Sequence, residues 1–260
     1  MDTLIVERSG GVVRVTMNRP ERKNAASGFM FEELRDVFTE VERNDDDRCM
    51  VLTGAGTDFC TGADLSEPDG ANMRLSQPGM VRMRRLNEPA IALRAITKPT
   101  IARVDGLAVG AGLSLALGCD IIVASDRARF SAIFAKRGLS PDLGASWLLP
   151  RAVGMPKAKE MVLTGDIYDA ASAEAMGLVS RVVPADELDA FVDDLARRLG
   201  SGPTQALSLA KSLLDQATTS SFSEALEDEG RSQALNFVSE DVAEAIGAFF
   251  SKREPEFKGR

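Results

Sequence analysis

The chain opens with two runs rich in β-branched residues, "TLIVER" and "VVRVTM", separated by a serine and two glycines. Such runs read as strands, and glycines able to take positive φ join them as a hairpin. Next, Phe31, Leu34, Phe38 and Val41 recur at helical spacing in "FMFEELRDVFTEVERN", which stops at Asn44 before an acidic turn. "CMVLTG" reads as a short buried strand and "AGTDFCTGADL" as the loop after it. From Ser66 to Gln77 the chain turns polar and carries Pro68 and Gly70, the composition of a mobile loop. A helical stretch then runs up to Thr97. After it, "PTIARVDG" predicts a strand, "GAGLSLALG" a helix of small residues and "DIIVASD" another strand. This repeated strand-turn-helix rhythm predicts an α/β architecture. From about Pro184 to the end the pattern is helix after helix. Several of these helices are amphipathic, and their apolar faces need either the chain's own core or another copy to cover them.

Composition narrows the function. At 260 residues with 44% hydrophobic content, the chain can fill one large core with an appendage. A net charge of −8 argues against nucleic acid, which demands a basic stripe. The uncharged run between Asp105 and Asp120 is 14 residues long, too short for a membrane span, and the N-terminus carries no targeting pattern. Cys49, Cys60 and Cys119 form no metal or redox spacing, which reads as reduced thiols in a cytoplasmic protein with no bound metal. There is no histidine at all, which removes Ser-His-Asp, Cys-His and HExxH chemistry. What remains is carboxylates, backbone amides, hydroxyls and lysines.

Two glycine-rich segments then matter. In "DGLAVGAGLSLALGCD", Leu115 stands where a dinucleotide fingerprint needs its third glycine, and Ser114 lacks both the flanking glycine and the histidine of a nucleophile elbow. The segment is still a sharp turn into a helix, whose first amides have no intrahelical partner and point outward. Close helix packing would use the same small residues, so both readings stand. "GADL", Gly62 to Leu65, is a second segment of the same kind. In "KRGLSPDLGASWLLPR", Asp142 is either the acid and base of an enzyme or the cap of the helix that follows.

Together with "NRPERKNA", "LTGDIYDAASAEAMGLVSRVVP" and "FFSKREPEFKGR", these segments resemble the crotonase superfamily, the enoyl-CoA hydratase and isomerase group, over nearly the whole chain. The resemblance implies a spiral of ββα units over residues 1–195 carrying an acyl-CoA site. It also implies a C-terminal helical region, 196–260, that builds trimers, often paired into hexamers. The thioester carbonyl would sit between the backbone N–H groups of Ala63 and Ala111. Coenzyme A would meet Arg22 and the Thr61–Leu65 edge, with Thr61, Ala63, Asp64 and Leu65, together with Phe249 and Lys252 from a neighbouring subunit. The thioester is substrate; no further cofactor is implied. The family's hydratases carry two glutamates, at the positions of Ser114 and Phe134, and both are missing here. Isomerase branches carry an acidic residue at the position of Asp142, and the run from Phe130 to Arg151 looks most like the ring-epoxide (1,2-epoxyphenylacetyl-CoA) isomerase branch of the phenylacetate pathway. The expectation is therefore an acyl-CoA isomerase that shifts a C=C bond or opens an epoxide, with Asp142 desolvated among Phe130, Phe134 and Trp147. A weak enoyl-CoA hydratase and a non-catalytic acyl-CoA-binding oligomer are the alternatives.

Overall fold

Gly10 and Gly11 turn the chain at φ 58° and 79°, so β1 (Leu4–Ser9) folds back antiparallel on β2 (Val12–Met17), with Leu4 opposite Met17. The computed structural model describes residues 2–66 and 79–260. The loop expected from Ser66 to Gln77 falls, after its first residue, outside the described residues. In α1 (Gly28–Arg43) the predicted stripe of Phe31, Leu34, Phe38 and Val41 is buried. The Ser27 hydroxyl accepts the Met30 N–H at 3.1 Å to start this helix, and Asn44 ends it.

Strand β3 (Cys49–Gly54) lies parallel to β2. After α2 (Gly79–Ala95), β4 (Thr100–Val104) extends the same sheet. At Asp105 and Gly106 the chain leaves that sheet for β5 (Leu107–Val109), which leads into α3 (Ala111–Gly118). It returns as β6 (Ile121–Ser125) and leaves again as β7 (Arg129–Ser131). Helices α4 (Ala145–Val153) and α5 (Met155–Thr164), strand β8 (Tyr168–Asp169) and helix α6 (Ala170–Ala175) precede β9 (Arg181–Val183). The main sheet has the order β1-β2-β3-β4-β6-β9, and a smaller one the order β5-β7-β8. The α/β spiral expected from the sequence is therefore present. The small sheet was not anticipated, because strands of two or three residues carry no readable periodicity.

The main sheet is covered on both faces, which is why its central strands read as continuous apolar runs. Met50 and Leu52 of β3 face α1, while Cys49 and Val51 face α7 (Leu188–Gly200) through Leu188, Val192 and Ala196. The expected division after residue 195 falls inside α7, which belongs to the sheet. From α8 (Thr204–Gln216) onward the helices stand off the core: α8 and α9 (Phe222–Asn236) bury no residue, and α10 (Glu240–Ser251) buries Asp241 and Ala248. Phe222, Phe237, Val238, Phe249 and Phe250 are all exposed, so the apolar faces of this region are not covered by the chain's own core. No helix among the described residues is long and apolar enough to cross a membrane.

Candidate functional site

The smaller sheet builds the site. Cys60 is tied to β5 by two bonds, its N–H to Leu107 O at 2.8 Å and its carbonyl to the Val109 N–H at 3.0 Å. Two residues on, the Gly62 carbonyl accepts the Ala26 N–H at 2.8 Å and the Asp64 N–H reaches Ala26 O at 2.9 Å. Ala63, held between these anchors, contributes its N–H to neither bond. Gly62 takes φ 100°, which L side chains rarely adopt, and a Cβ there would lie 3.5 Å from the Ala111 nitrogen. The two exposed-amide segments predicted from sequence are thus in contact.

Glycines set how closely they approach. Gly110 caps α3 with φ 55° and ψ −120°, which places Ala111 at the first helical position, where its N–H has no intrahelical acceptor. A Cβ on Gly112 would stand 2.1 Å from the Cys60 carbonyl oxygen. The small residues of α3 therefore serve both purposes weighed from sequence: Gly112 permits close packing, and that packing presents the Ala111 amide beside Ala63.

A cavity of 360 Å³ opens in front of these amides, lined by Thr61, Ala63, Asp64, Leu65, Ala111, Phe134, Arg137 and Asp142 among others. Asp142 is half-buried, and its Oδ1 is buried without a hydrogen-bond partner among the described residues. Burial pushes its carboxyl up to about 6, opposed by a backbone hydrogen bond. The capping reading fails. The N-cap of α4 is Gly144, no side chain caps that helix, and it is the Asp142 main-chain carbonyl that receives the Ala145 N–H, at 3.0 Å. Leu143, next to Asp142, is a buried non-glycine residue at φ 49°, a backbone state that costs roughly 1–2 kcal/mol. Of the three aromatics expected to desolvate Asp142, Phe134 lines its cavity. Trp147 faces a neighbouring chamber, with the Arg151 guanidinium 3.6 Å from its ring centre, and Phe130 lies in the core.

The other carboxylate on this cavity among the described residues, Asp64, is engaged. Asp64 accepts the Ser66 N–H and hydroxyl at 3.0 and 2.7 Å and pairs with Arg19 at 3.0 Å. Burial would raise its pKa, but the Ser66 and Arg19 bonds outweigh it and hold the carboxyl below the usual range. Arg19 belongs to the early loop, which Asn24 fixes. Asn24 is buried at φ 54° and donates to Ala55 O and Asp58 O at 2.8 and 2.7 Å. Asparagine suits this left-handed position and supplies the two donors.

The remaining predicted residues lie apart from the cavity. Arg22 is exposed on the turn Pro20–Arg22, and Phe249 and Lys252 are exposed at the end of α10; none of them lines the cavity of their own chain. Sequence reading missed Arg137 and Leu139 as lining residues, though both fall within the stretch that drew attention to Asp142. A second chamber of 580 Å³ is lined by Ser114 and by Leu143, the residue after Asp142. It lies between α2, α3 and α4 and is lined mainly by apolar side chains, among them Ile91, Leu115, Trp147 and Leu148.

Two backbone amides without a hydrogen-bond partner among the described residues, on the same cavity as a carboxyl whose Oδ1 is buried and unbonded there, are equipment for stabilising an enolate and moving its proton. Residues 7–260 match the family model described as enoyl-CoA hydratase/isomerase. The chain is 38% identical over 264 residues to the 1,2-epoxyphenylacetyl-CoA isomerase of Escherichia coli, with 100% of both chains covered. It is 34% identical over 265 residues to the 2,3-dehydroadipyl-CoA hydratase of the same organism, again with 100% of both covered. The crystal structure of an enoyl-CoA hydratase from Bacillus anthracis superposes with a TM-score of 0.93 at 30% identity, covering 99% of this chain and 100% of the other. The chain therefore belongs to the enoyl-CoA hydratase/isomerase family.

Proposed function

We propose that this enzyme is an acyl-CoA isomerase that moves a C=C bond, or opens an epoxide, through a thioester enolate. The observation that carries the reading is the unequal state of the two carboxylates on the cavity. Asp142 has a free, desolvated oxygen, while Asp64 is occupied by Arg19 and Ser66. Hydration needs one group to activate water and a second to protonate carbon. Ser114 and Phe134 occupy the positions where the hydratases of the family carry that pair. Isomerisation asks for one. The Asp142 carboxylate takes the proton from C2 of a 3-enoyl thioester, and the electron pair of that C–H bond flows toward the carbonyl as a dienolate. The protonated Asp142 then returns a proton to C4, leaving the C2=C3 bond. The Ala63 and Ala111 amides hold the oxyanion, and each is worth roughly 3–4 kcal/mol of transition-state stabilisation. A carboxyl titrating near 6 is ionised at neutral pH yet basic enough for this task.

The acyl group extends past Asp142 into the apolar chamber lined by Leu143. The chamber's cation, Arg94, is committed to Asp215 at 2.6 Å and lies 3.9 Å from Asp120, so an uncharged acyl end fits best. The chamber has room for a ring as well as a chain, in keeping with the name of the first relative described. Coenzyme A runs along Thr61–Leu65. Phe249 and Lys252 reach it from a second subunit, and the uncovered apolar faces of α8 to α10 supply the contact for a trimer. Conjugation of the thioester, followed by its absorbance, tests the reading. Conversion of 3-enoyl-CoA well above the rate of crotonyl-CoA hydration is expected, and the reverse ranking would overturn it.

A further inference from the structure

We infer that Ser114 is a positioning residue for Asp142. This rests on the isomerase reading above and assigns a role to a side chain that reading leaves idle. Ser114 is 1% exposed, on the second turn of α3. Its Oγ lies 3.1 Å from the Asp142 main-chain carbonyl oxygen and 3.2 Å from that of Gly110. A hydroxyl has one proton, shared here between carbonyls of two different segments. Gly110 precedes the Ala111 amide, and Asp142 carries the carboxylate. The hydroxyl therefore joins the oxyanion-binding turn to the base through one side chain.

The loop needs such a tie. Leu143 sits at φ 49° and Gly144 at φ 85°, so the chain around Asp142 follows a path that its own backbone preferences oppose. Leu143 anchors the loop from below by burying its side chain in the core. Ser114 holds the carbonyl one residue earlier, which fixes the direction in which the Asp142 carboxyl leaves the backbone. That direction keeps Oδ1 out of water. Among the described residues, the other charged groups on the same cavity are Arg137, from the turn before the loop, and Asp64, which pairs with Arg19. No ion pair to Asp142 is present among the described residues, so its state depends on how far the loop keeps it from solvent. In the ordinary alternative, Ser114 simply bonds back to Gly110 within its own helix, a common habit of serine that would affect stability alone.

Three variants separate the two. Ser114→Ala should lower kcat by about 10- to 100-fold with KM little changed, since a small misplacement of a catalytic group has that effect. The ascending limb of its pH–rate profile should move from near 6 toward the ordinary aspartate value as the carboxyl gains solvent. Ser114→Thr keeps the hydroxyl at a residue that lines the chamber, and should recover most of kcat and the original limb. Ser114→Cys, with similar volume and a weak donor, gives the same readout if the alanine variant does not fold. An alanine or cysteine variant with an unmoved limb, or with kcat equal to the parent, would overturn the inference. The isomerase reading is judged separately by Asp142→Asn in the parent background, so a failure of one is distinct from a failure of the other.

Discussion

Replacing Asp142 with asparagine should sharply lower turnover and at the same time flatten a pH dependence of stability. The carboxyl stands at about 6 in the folded chain against 3.8 for an ordinary aspartate, because burial disfavours its charge. The folded state therefore holds this proton more tightly than the unfolded state. Stability contributed by the group is present below about pH 4 and is lost as pH rises toward 6, reaching a deficit of up to about 3 kcal/mol at neutral pH. Asparagine has no such deficit. Its amide carries its own desolvation cost, but that cost does not vary with pH. The informative quantity is therefore the stability of Asp142→Asn minus that of the parent, which should rise by about 2 kcal/mol between about pH 4.5 and about pH 8. Denaturant unfolding of both proteins across this range measures it, with protein concentration held constant. Isomerase turnover should fall by about 10²- to 10⁴-fold, the usual contribution of a positioned acid and base. A difference that stays flat with pH would show that Asp142 is not desolvated. Full turnover in the variant would remove it from the mechanism.

Other expectations follow from particular contacts. Gly112→Ala should cost about 1–3 kcal/mol or more, because its Cβ would stand 2.1 Å from Cys60 O; it should also reduce activity by separating Ala111 from Ala63, whereas unchanged melting and turnover would contradict the packing described. Ending the chain before Ser239 removes α10 with Phe249 and Lys252, so sedimentation and CoA titration should show self-association and CoA affinity lost together. A truncated monomer that binds CoA normally would refute the shared site. Acyl thioesters ending in a carboxylate should be turned over less efficiently than uncharged ones of equal length, as compared by kcat/KM, since Arg94 is already paired with Asp215.

Much of this architecture was legible because long elements declare themselves. The stripe of α1, the β1-β2 hairpin and the buried run of β3 each repeat a period over enough residues to be read, and each is found where expected. The two amide segments were legible for a different reason: glycines at positions needing positive φ leave a mark that side-chain patterns do not. The three short strands of the small sheet left none, although that sheet is what brings Cys60, Ala63 and Ala111 together. Asp142 was visible as a residue but ambiguous in role. "SPDLG" is good capping sequence, and only the placement of Gly144 at the N-cap removes that reading. Arg137 and the double contact of Ser114 were illegible, because both arise where the 133–144 stretch folds over α3, and no local pattern encodes that contact.

On the proposed reading, the desolvated Asp142 oxygen, with Asp64 held by Arg19 and Ser66, shifts a double bond rather than adding water. Supplying a single 3-enoyl-CoA and identifying its products over time by nuclear magnetic resonance tests it most directly. The 2-enoyl thioester should accumulate as the substrate disappears, with little 3-hydroxyacyl-CoA, and Asp142→Asn should leave the substrate nearly untouched. Rapid accumulation of the 3-hydroxyacyl thioester by the parent enzyme would contradict it.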